Sequence, residues 1–202
     1  MKYQSQDVTA VILAGGKGRR MEGANKGLMR LNQKPLIAYA LDRITPQSHS
    51  QIISANQNLE EYQQFQRQVV SDHESDFQGP LSGLLSCKNK ILTDLVLSIP
   101  CDTPFIPDNL LAKMLNTYNE GAYDICVVHD GQQMQNLFLL FPASLLEQLQ
   151  DFFQQGNRRV SDWIKQNVYQ CVDFSNQQEC FININTLDSL NHIQDALKSS
   201  KS

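Results

Sequence analysis

Glycine and basic residues crowd the loop that follows the first strongly apolar run of the sequence. After residues 8–13 the chain reads Gly15-Gly16-Lys17-Gly18-Arg19-Arg20-Met21, and Lys26 follows before the next apolar run. Glycines let the backbone approach an anion closely, so that several N–H groups can point at one phosphate. The basic side chains would supply the counter-charge. The loop therefore indicates a phosphate-binding site.

This loop differs from the two common phosphate-binding loops. It lacks the Gly-Lys-Ser/Thr ending of a P-loop. Met21 stands where a dinucleotide-binding fingerprint would place a third glycine after Gly16 and Gly18. The pattern therefore disfavours a P-loop nucleotide hydrolase and a nicotinamide dehydrogenase.

A carboxylate follows another apolar run. Asp102 comes just after residues 95–99, within Pro100-Cys101-Asp102-Thr103-Pro104. In a parallel sheet, the carboxyl end of that strand would lie beside the loop after strand 1. Mg²⁺ prefers oxygen ligands and usually binds one or two carboxylates plus substrate phosphates, so Asp102 is a candidate metal ligand. The alternative is that Asp102 caps the helix expected after Pro104.

The strands and helices that must position these residues can be predicted from the spacing of apolar residues, which alternates along the chain between two patterns. Short β-branched or apolar runs predict strands, and the longer segments between them have the apolar spacing of helices. This rhythm predicts an α/β fold with a doubly wound, mainly parallel sheet that binds ligands outside the carboxyl ends of its strands. Strands are predicted at residues 8–13, 51–54, 69–71, 95–99 and 125–128, and helices at 35–44, 59–65, 81–90 and 107–118.

The C-terminal part of the sequence is less regular. Segments of strand character and of helical character follow one another there without a clear rhythm, and no repeat or linker divides the chain. The 202 residues are therefore interpreted as a single domain. In this part, residues 137–141, 172–174 and 180–184 are consistent with strands, and 143–153, 160–166 and 187–197 with helices.

Composition narrows the class of protein. The five cysteines are scattered and odd in number, and no Cys-x-x-Cys pair occurs, so neither a disulfide framework nor a thiolate zinc site is indicated. The N-terminus does not read as a secretory signal, and no apolar stretch is long enough to span a membrane. A net charge of -4 argues against binding to a nucleic-acid backbone. A soluble, cytoplasmic protein is expected.

An ordered set of motifs along nearly the whole chain resembles the sugar-nucleotide and cofactor nucleotidyltransferase family, and within it the molybdenum cofactor guanylyltransferases most of all. The match begins with the signature loop and continues to residue 186. The motifs are Leu13-Ala14-Gly15-Gly16, Arg20-Met21, Asn25-Lys26-Gly27-Leu28, Lys34-Pro35-Leu36, Asp72, Gly79-Pro80-Leu81-Ser82-Gly83, Pro100-Cys101-Asp102-Thr103-Pro104, His129-Asp130-Gly131, Gly156-Asn157-Arg158-Arg159-Val160 and Phe181-Ile182-Asn183-Ile184-Asn185-Thr186.

This resemblance implies a Rossmann-like fold and an Mg²⁺-dependent enzyme whose substrates are GTP and molybdopterin, the organic part of the molybdenum cofactor. The terminal phosphate of molybdopterin would attack the α-phosphorus of GTP and release pyrophosphate. Because that phosphate is already largely ionised near neutral pH, no general base is required. Residues from about 7 to 105 would bind nucleotide and residues from about 106 to 190 the acceptor. The family role also implies transient contact with proteins that deliver or receive the cofactor.

Family positions assign roles to the charged residues. Lys26 and Arg20 would neutralise the triphosphate above the backbone amides of Gly15 and Gly16, and Asp102 would bind the metal. Lys26, Asp102 and Arg20 are thus the candidate catalytic residues. The alternative for Lys26 is a solvated surface lysine.

Other positions would bind the base, the rest of the nucleotide and the pterin. Leu13, Ala14 and Gly79 would wall the guanine, while Asn56 and Asp72 would contact nucleotide. The alternative for Asp72 is a structural role in a turn or as a helix cap. The last group is Asn183 and Asn185, which would bind the pterin from one side of a strand whose Ile182 and Ile184 face the core. The alternative is that both amides satisfy a turn before a helix near residue 187.

Three departures from the family pattern stand out. Asn25 occupies a position where the family usually has aspartate. Ser54 replaces an asparagine that often contacts nucleotide, and that role is carried to Asn56. Gln135-Asn136-Leu137 stands where the family often has His-Pro-Thr, which bears on acceptor binding.

Two other functions remain open on sequence grounds. One is a cytidylyltransferase or sugar-phosphate nucleotidyltransferase of the same fold, although Leu-Ala-Gly-Gly is closer to guanylyl than to cytidylyl enzymes. The other is a noncatalytic nucleotide-binding regulator. Retention of Lys26 and Asp102 argues against the regulator.

Overall fold

The computed structural model describes residues 2–15, 25–71, 79–184 and Ser189. Its strands are β1 Val8–Leu13, β2 Arg30–Leu31, β3 Lys34–Pro35, β4 Ser50–Ser54, β5 Gln68–Val70, β6 Leu95–Pro100, β7 Ile125–His129, β8 Met134–Pro142 and β9 Tyr169–Asp173. Its α-helices are α1 Leu36–Ile44, α2 Leu59–Gln63, α3 Pro80–Ser86, α4 Leu110–Glu120, α5 Leu145–Gln154 and α6 Val160–Lys165. No helix in the described ranges has the length and apolar character needed to cross a membrane.

Seven strands form one sheet in the order β5-β4-β1-β6-β8-β7-β9, and β2 and β3 form a separate hairpin. Only β8 runs against the other strands of the seven-stranded sheet. From β1 the chain passes to β4 and β5 on one side, and then returns to β6 on the other side of β1. The predicted mainly parallel α/β sheet is confirmed, and its topological switch point lies between β1 and β6.

Two apolar layers cover the two faces of the sheet. Strand β1 divides its side chains between them, with Val8, Ala10 and Ile12 in one layer and Val11 in the other. Helices α1 and α4 pack in the first layer, and α3, α5 and α6 pack in the second. Burial on both faces explains why β1 and β6 read as nearly continuous apolar runs instead of alternating ones.

The C-terminal prediction was partly wrong. Residues 180–184 do not form a strand, because 3₁₀ turns extend over Ser175–Phe181 and irregular backbone follows. Phe181 packs edge-on against Phe138 and Phe174, with ring centroids 5.1 and 5.3 Å apart. Ile184 is buried as expected, but Ile182 is 49% exposed. The helix predicted at 187–197 lies outside the described ranges.

Two predicted helices differ most from the structure in their limits. The helix predicted at 81–90 ends at Ser86, and a 3₁₀ turn at Lys88–Lys90 follows it. The helix predicted to begin at Pro107 begins at Leu110, because the Leu110 N–H closes a turn onto the Pro107 carbonyl. Both differences lie at element ends, where apolar periodicity carries the least information.

Candidate active site

Three strand ends meet at the switch point. Leu13, the last residue of β1, is in register with Ser54 of β4 on one side and Pro100 of β6 on the other. The backbone continues this pairing past the strands: the Ala14 N–H donates to the Ser54 carbonyl at 2.8 Å, and the Cys101 N–H donates to the Leu13 carbonyl at 3.1 Å. The loops after β1 and β6 therefore leave the sheet side by side.

Asp102 and Lys26 face each other at this edge. The Lys26 ammonium lies 3.4 Å from Oδ2 of Asp102, and the Asp102 side chain is only 12% exposed. Burial raises the pKa of the Asp102 carboxyl above its usual value, and the adjacent Lys26 charge opposes that rise. Asp102 does not cap the next helix, whose N-cap is Asn109. This carboxylate is thus held largely out of water next to the Lys26 ammonium at a strand end.

The segment that carries Lys26 is a short 3₁₀ turn over Lys26–Leu28. Gly27 in this turn is buried, and a Cβ there would lie 2.4 Å from the Tyr62 hydroxyl and 3.2 Å from the Cys101 sulfur. Only glycine fits that space without a shift of its neighbours. The Tyr62 hydroxyl also donates to the side-chain oxygen of Asn25 at 2.5 Å.

Close backbone contacts also line the start of the glycine loop. A Cβ on Gly15 would lie 3.4 Å from the Asn56 amide nitrogen, so Asn56 lies against the loop. Ser54 fills a different space, because a Cβ on Gly83 would come within 2.7 Å of its hydroxyl. Gly79 precedes α3 with φ +93°, a backbone conformation that favours glycine. Asn56 thus lies against the loop after β1, and Gly79 is the N-cap of the helix in which a Cβ on Gly83 would lie 3.1 Å from the Leu13 side chain at the end of β1.

The C-terminal motif contacts the loop after β6, which carries Asp102. The Thr103 hydroxyl donates to the side-chain oxygen of Asn183 at 2.6 Å, and the Ile184 N–H donates to the Asp102 carbonyl at 2.9 Å. Ile184 is fully buried with Leu31 and Leu36. Asn183 therefore lies beside Asp102, although not on the strand that the sequence predicted.

The structure brings together Leu13, Ala14, Gly15, Lys26, Asn56, Asp102 and Asn183 through this set of contacts. Four other predicted site residues, Gly16, Arg20, Asp72 and Asn185, lie outside the described ranges.

Sequence reasoning did not single out Tyr62 or Thr103 as site residues. Tyr62 reads as one apolar position of a short amphipathic helix, and nothing local reveals that its hydroxyl reaches Asn25. Thr103 could have been found as the only hydroxyl in the motif around Asp102.

The departure at Gln135 has a structural explanation. Its side-chain amide donates to Asp130 at 2.6 Å, and the backbone N–H groups of Gln132 and Gln133 donate to the other Asp130 oxygen at 2.8 Å. Burial alone would raise the pKa of Asp130, but these hydrogen bonds outweigh it and lower that pKa. Gln135 thus completes the turn between β7 and β8.

The donor set around Asp102 fits a hard divalent cation only if substrate oxygens complete the coordination. Within the described part of the chain, no three His, Cys, Asp or Glu side chains are grouped so that they could hold a metal ion. One buried carboxylate beside a phosphate site is the arrangement that Mg²⁺ commonly uses, since it retains waters and binds phosphate oxygens.

Comparison with known proteins identifies the family of this chain. A family model described as a MobA-like NTP transferase domain matches residues 10–171. Molybdenum cofactor guanylyltransferase from Haemophilus influenzae is 42% identical over 183 residues, which cover 91% of this chain and 95% of that protein. The enzyme of the same name from Shewanella putrefaciens is 40% identical over 181 residues, covering 90% and 93%.

A solved structure shows the same fold at low sequence identity. Molybdopterin-guanine dinucleotide biosynthesis protein A from Archaeoglobus fulgidus superposes with a TM-score of 0.79 at 18% identity, covering 95% of this chain and 99% of that one. The family model spans the strand ends, the Lys26 turn and the Asp102 loop described above. The chain belongs to the MobA-like NTP transferase family.

Proposed function

We propose that this protein transfers GMP from GTP to the terminal phosphate of molybdopterin. An oxygen of that phosphate bonds to the α-phosphorus of GTP, the bond from the α-phosphorus to the bridging oxygen breaks, and pyrophosphate leaves. The product is the guanine dinucleotide form of the cofactor. Relatives named molybdenum cofactor guanylyltransferase at 40 and 42% identity over nine-tenths of the chain support this assignment.

The observation that carries the proposal is the Asp102–Lys26 pair at the switch point. A transfer between two anions needs cationic groups that are fixed before the substrates arrive, because developing charge on the phosphoryl oxygens must be neutralised. Lys26 is held 3.4 Å from Asp102 at the carboxyl edge where α/β sheets bind nucleotides. An ammonium and a buried carboxylate at this place suit a triphosphate with its metal.

Asp102 is the residue that would hold Mg²⁺. When bound, the ion would neutralise charge on phosphate oxygens. Burial of the Asp102 carboxylate beside the Lys26 ammonium supports this role, because a desolvated anion gains strongly from a further positive charge.

The chain's own cations and amides bind the triphosphate in this proposal. Lys26 and Arg20 would contact phosphate oxygens, and the backbone amides of Gly15 and Gly16 would bind them from below. Asp72 contributes to nucleotide binding. These groups orient the two reactants in line, which is the main requirement of phosphoryl transfer.

The remaining candidates divide between the base and the acceptor. Leu13, Ala14 and Gly79 border the guanine, and Asn56 contacts the nucleotide. For the acceptor, Asn183 and Asn185 would supply amides that donate and accept hydrogen bonds, as the edge of a pterin requires. Residues from about 7 to 105 thus form the nucleotide part, and those from about 106 to 190 the acceptor part.

One incubation tests the function. The protein is mixed with molybdenum cofactor and each of the four nucleoside triphosphates, with Mg²⁺ or with a chelator, and the product is identified by mass. We expect the guanine dinucleotide from GTP only in the presence of Mg²⁺. A cytosine dinucleotide would show a cytidylyltransferase, and binding of GTP without any product would show a nucleotide-binding regulator.

A further inference from the structure

One buried phenol contacts both neighbours of Lys26 in the sequence. The Tyr62 hydroxyl donates to Asn25 Oδ1 at 2.5 Å, and a Cβ at Gly27 would come within 2.4 Å of the same oxygen. The residue before Lys26 is therefore held by a hydrogen bond, and the residue after it by close packing. Tyr62 itself is fully buried in the apolar layer that also contains Cys101.

The burial of Tyr62 keeps its hydroxyl a hydrogen-bond donor. Burial raises the pKa of this phenol far above its usual value, and the neighbouring Cys101 and Glu61 raise it further. The hydrogen bond that Tyr62 donates to Asn25 does not reverse this shift. Tyr62 is therefore protonated at any pH at which the enzyme would act.

Asn25 uses both halves of its side-chain amide. Its oxygen accepts from Tyr62, and its nitrogen lies 3.4 Å from the side-chain oxygen of Asn58, the N-cap of α2. Asn58 has a left-handed backbone with φ +54°, and its own amide donates to Glu61 at 2.6 Å. A carboxylate at position 25 could accept from Tyr62 but could not donate to Asn58. The asparagine that departs from the family pattern is thus complementary to α2 of this chain.

We propose that Tyr62 is a positioning residue that acts through Asn25 and Gly27 to fix Lys26 beside Asp102. This inference rests on the proposed function. A lysine side chain has four flexible bonds, so its ammonium is placed only as well as its backbone is fixed. An error of about 1 Å in the placement of a group in phosphoryl transfer is enough to slow the reaction strongly.

The test removes the hydroxyl and keeps the ring. Tyr62→Phe should lower kcat/KM for GTP roughly tenfold, a loss on the scale of a single hydrogen bond. Asn25→Ala should cause a similar loss, and the double variant should lose no more than either single variant. Tyr118→Phe, on α4 away from the Lys26 turn, is the matched control and should leave kcat/KM unchanged. Thermal unfolding of each variant reports general damage to the fold.

A double-mutant cycle with Lys26 separates positioning from a merely structural role. In a Lys26→Met background, Tyr62→Phe should cause no further loss of kcat/KM, because the group that it positions is gone. An equal loss in both backgrounds would overturn the proposal. So would unchanged activity of Tyr62→Phe in an active wild-type background.

Failure of the proposed function would look different. If the wild-type protein formed no guanylyl product, the function would be wrong, and the same cycle would be measured on the affinity for Mg-GTP by calorimetry. A loss on Tyr62→Phe that depends on Lys26 would still support positioning. Equal losses with and without the Lys26 ammonium, or none, would overturn it.

Discussion

Two segments from distant parts of the chain approach Asp102, and they are held in different ways. The Lys26 segment, residues 25–28, is fixed by a side chain, because the Tyr62 hydroxyl contacts both Asn25 and Gly27. The Asn183 segment, residues 182–184, is fixed by its backbone, because the Ile184 N–H bonds to the Asp102 carbonyl. Ile184 is in addition buried with Leu31 and Leu36.

This difference predicts how each segment tolerates substitution. A segment whose position depends on one hydroxyl and one missing Cβ should be displaced by changes of single atoms. A segment bonded through its backbone and anchored by a buried isoleucine should keep its path when a polar side chain is removed. We therefore expect single substitutions around the Lys26 segment to impair the steps that involve GTP. Substitutions in the Asn183 segment should affect acceptor binding alone.

The largest effect is expected at Asp102, which both segments share. Asp102→Asn keeps the size of the side chain but removes its charge, and it should nearly abolish guanylyl transfer, with a loss of roughly 10²-fold or more. The rate is measured over a range of Mg²⁺ concentrations. Unchanged turnover at subsaturating Mg²⁺ would exclude Asp102 as the metal ligand.

The same substitution has an opposite expected effect on stability. Because burial raises the pKa of Asp102 in the folded protein, the folded state binds a proton more readily than the unfolded state. The unfavourable contribution of the buried carboxylate therefore grows as pH rises from about 4 through the raised pKa, and is absent below. Without ligands, Asp102→Asn should unfold at a temperature equal to or above that of the wild type, with the gap widening toward neutral pH. A gap that widens toward acid pH would contradict the raised pKa.

The next effect concerns the Lys26 segment. Lys26→Met removes the counter-charge of the triphosphate, and hydrogen bonds to charged groups contribute about 1.5 to 3 kcal/mol. Catalytic efficiency with GTP should fall at least about tenfold, the lower end of that range. Lys88→Met, which removes a lysine paired with Glu147 away from the strand ends, is the matched control. An efficiency within a factor of two of wild type would make Lys26 a surface charge only.

The sequence predicted most of the sheet and placed Asp102 correctly. Apolar runs of strand length identify β1 and β6, and a parallel sheet then requires their carboxyl ends to lie at the same edge, so the adjacency of the loops after β1 and β6 could be predicted. The C-terminal segment could not be predicted in this way. Residues 180–184 alternate like a strand, but the Ile184 N–H pairs with a loop carbonyl at Asp102 and not with a neighbouring strand. Such a partner is set by tertiary contact and leaves no local periodicity.

Substitution in the Asn183 segment should separate the two substrates. The double variant Asn183→Ala, Asn185→Ala should bind GTP as the wild type does and lose affinity for the molybdenum cofactor, because the Ile184 backbone contact remains. Calorimetric titration with each ligand separately measures this. Equal losses for both ligands, or no loss for the cofactor, would show that the two amides have a structural role.

The smallest effect is expected at Thr103, because substitution of this residue leaves the side-chain amide of Asn183 in place. Thr103→Val keeps the branched shape of this fully buried side chain and removes the hydroxyl that donates to Asn183 at 2.6 Å. One such hydrogen bond contributes about 0.5 to 1.5 kcal/mol, and the exposed Asn183 oxygen can be rehydrated when the donor is lost. Affinity for the cofactor should therefore fall only severalfold, with GTP affinity unchanged. Thr103→Val could instead weaken cofactor binding as much as the loss of both asparagines does. In that case the orientation of Asn183, and not its mere presence, would determine acceptor binding. The Asn183 segment would then depend on one hydroxyl as much as the Lys26 segment does.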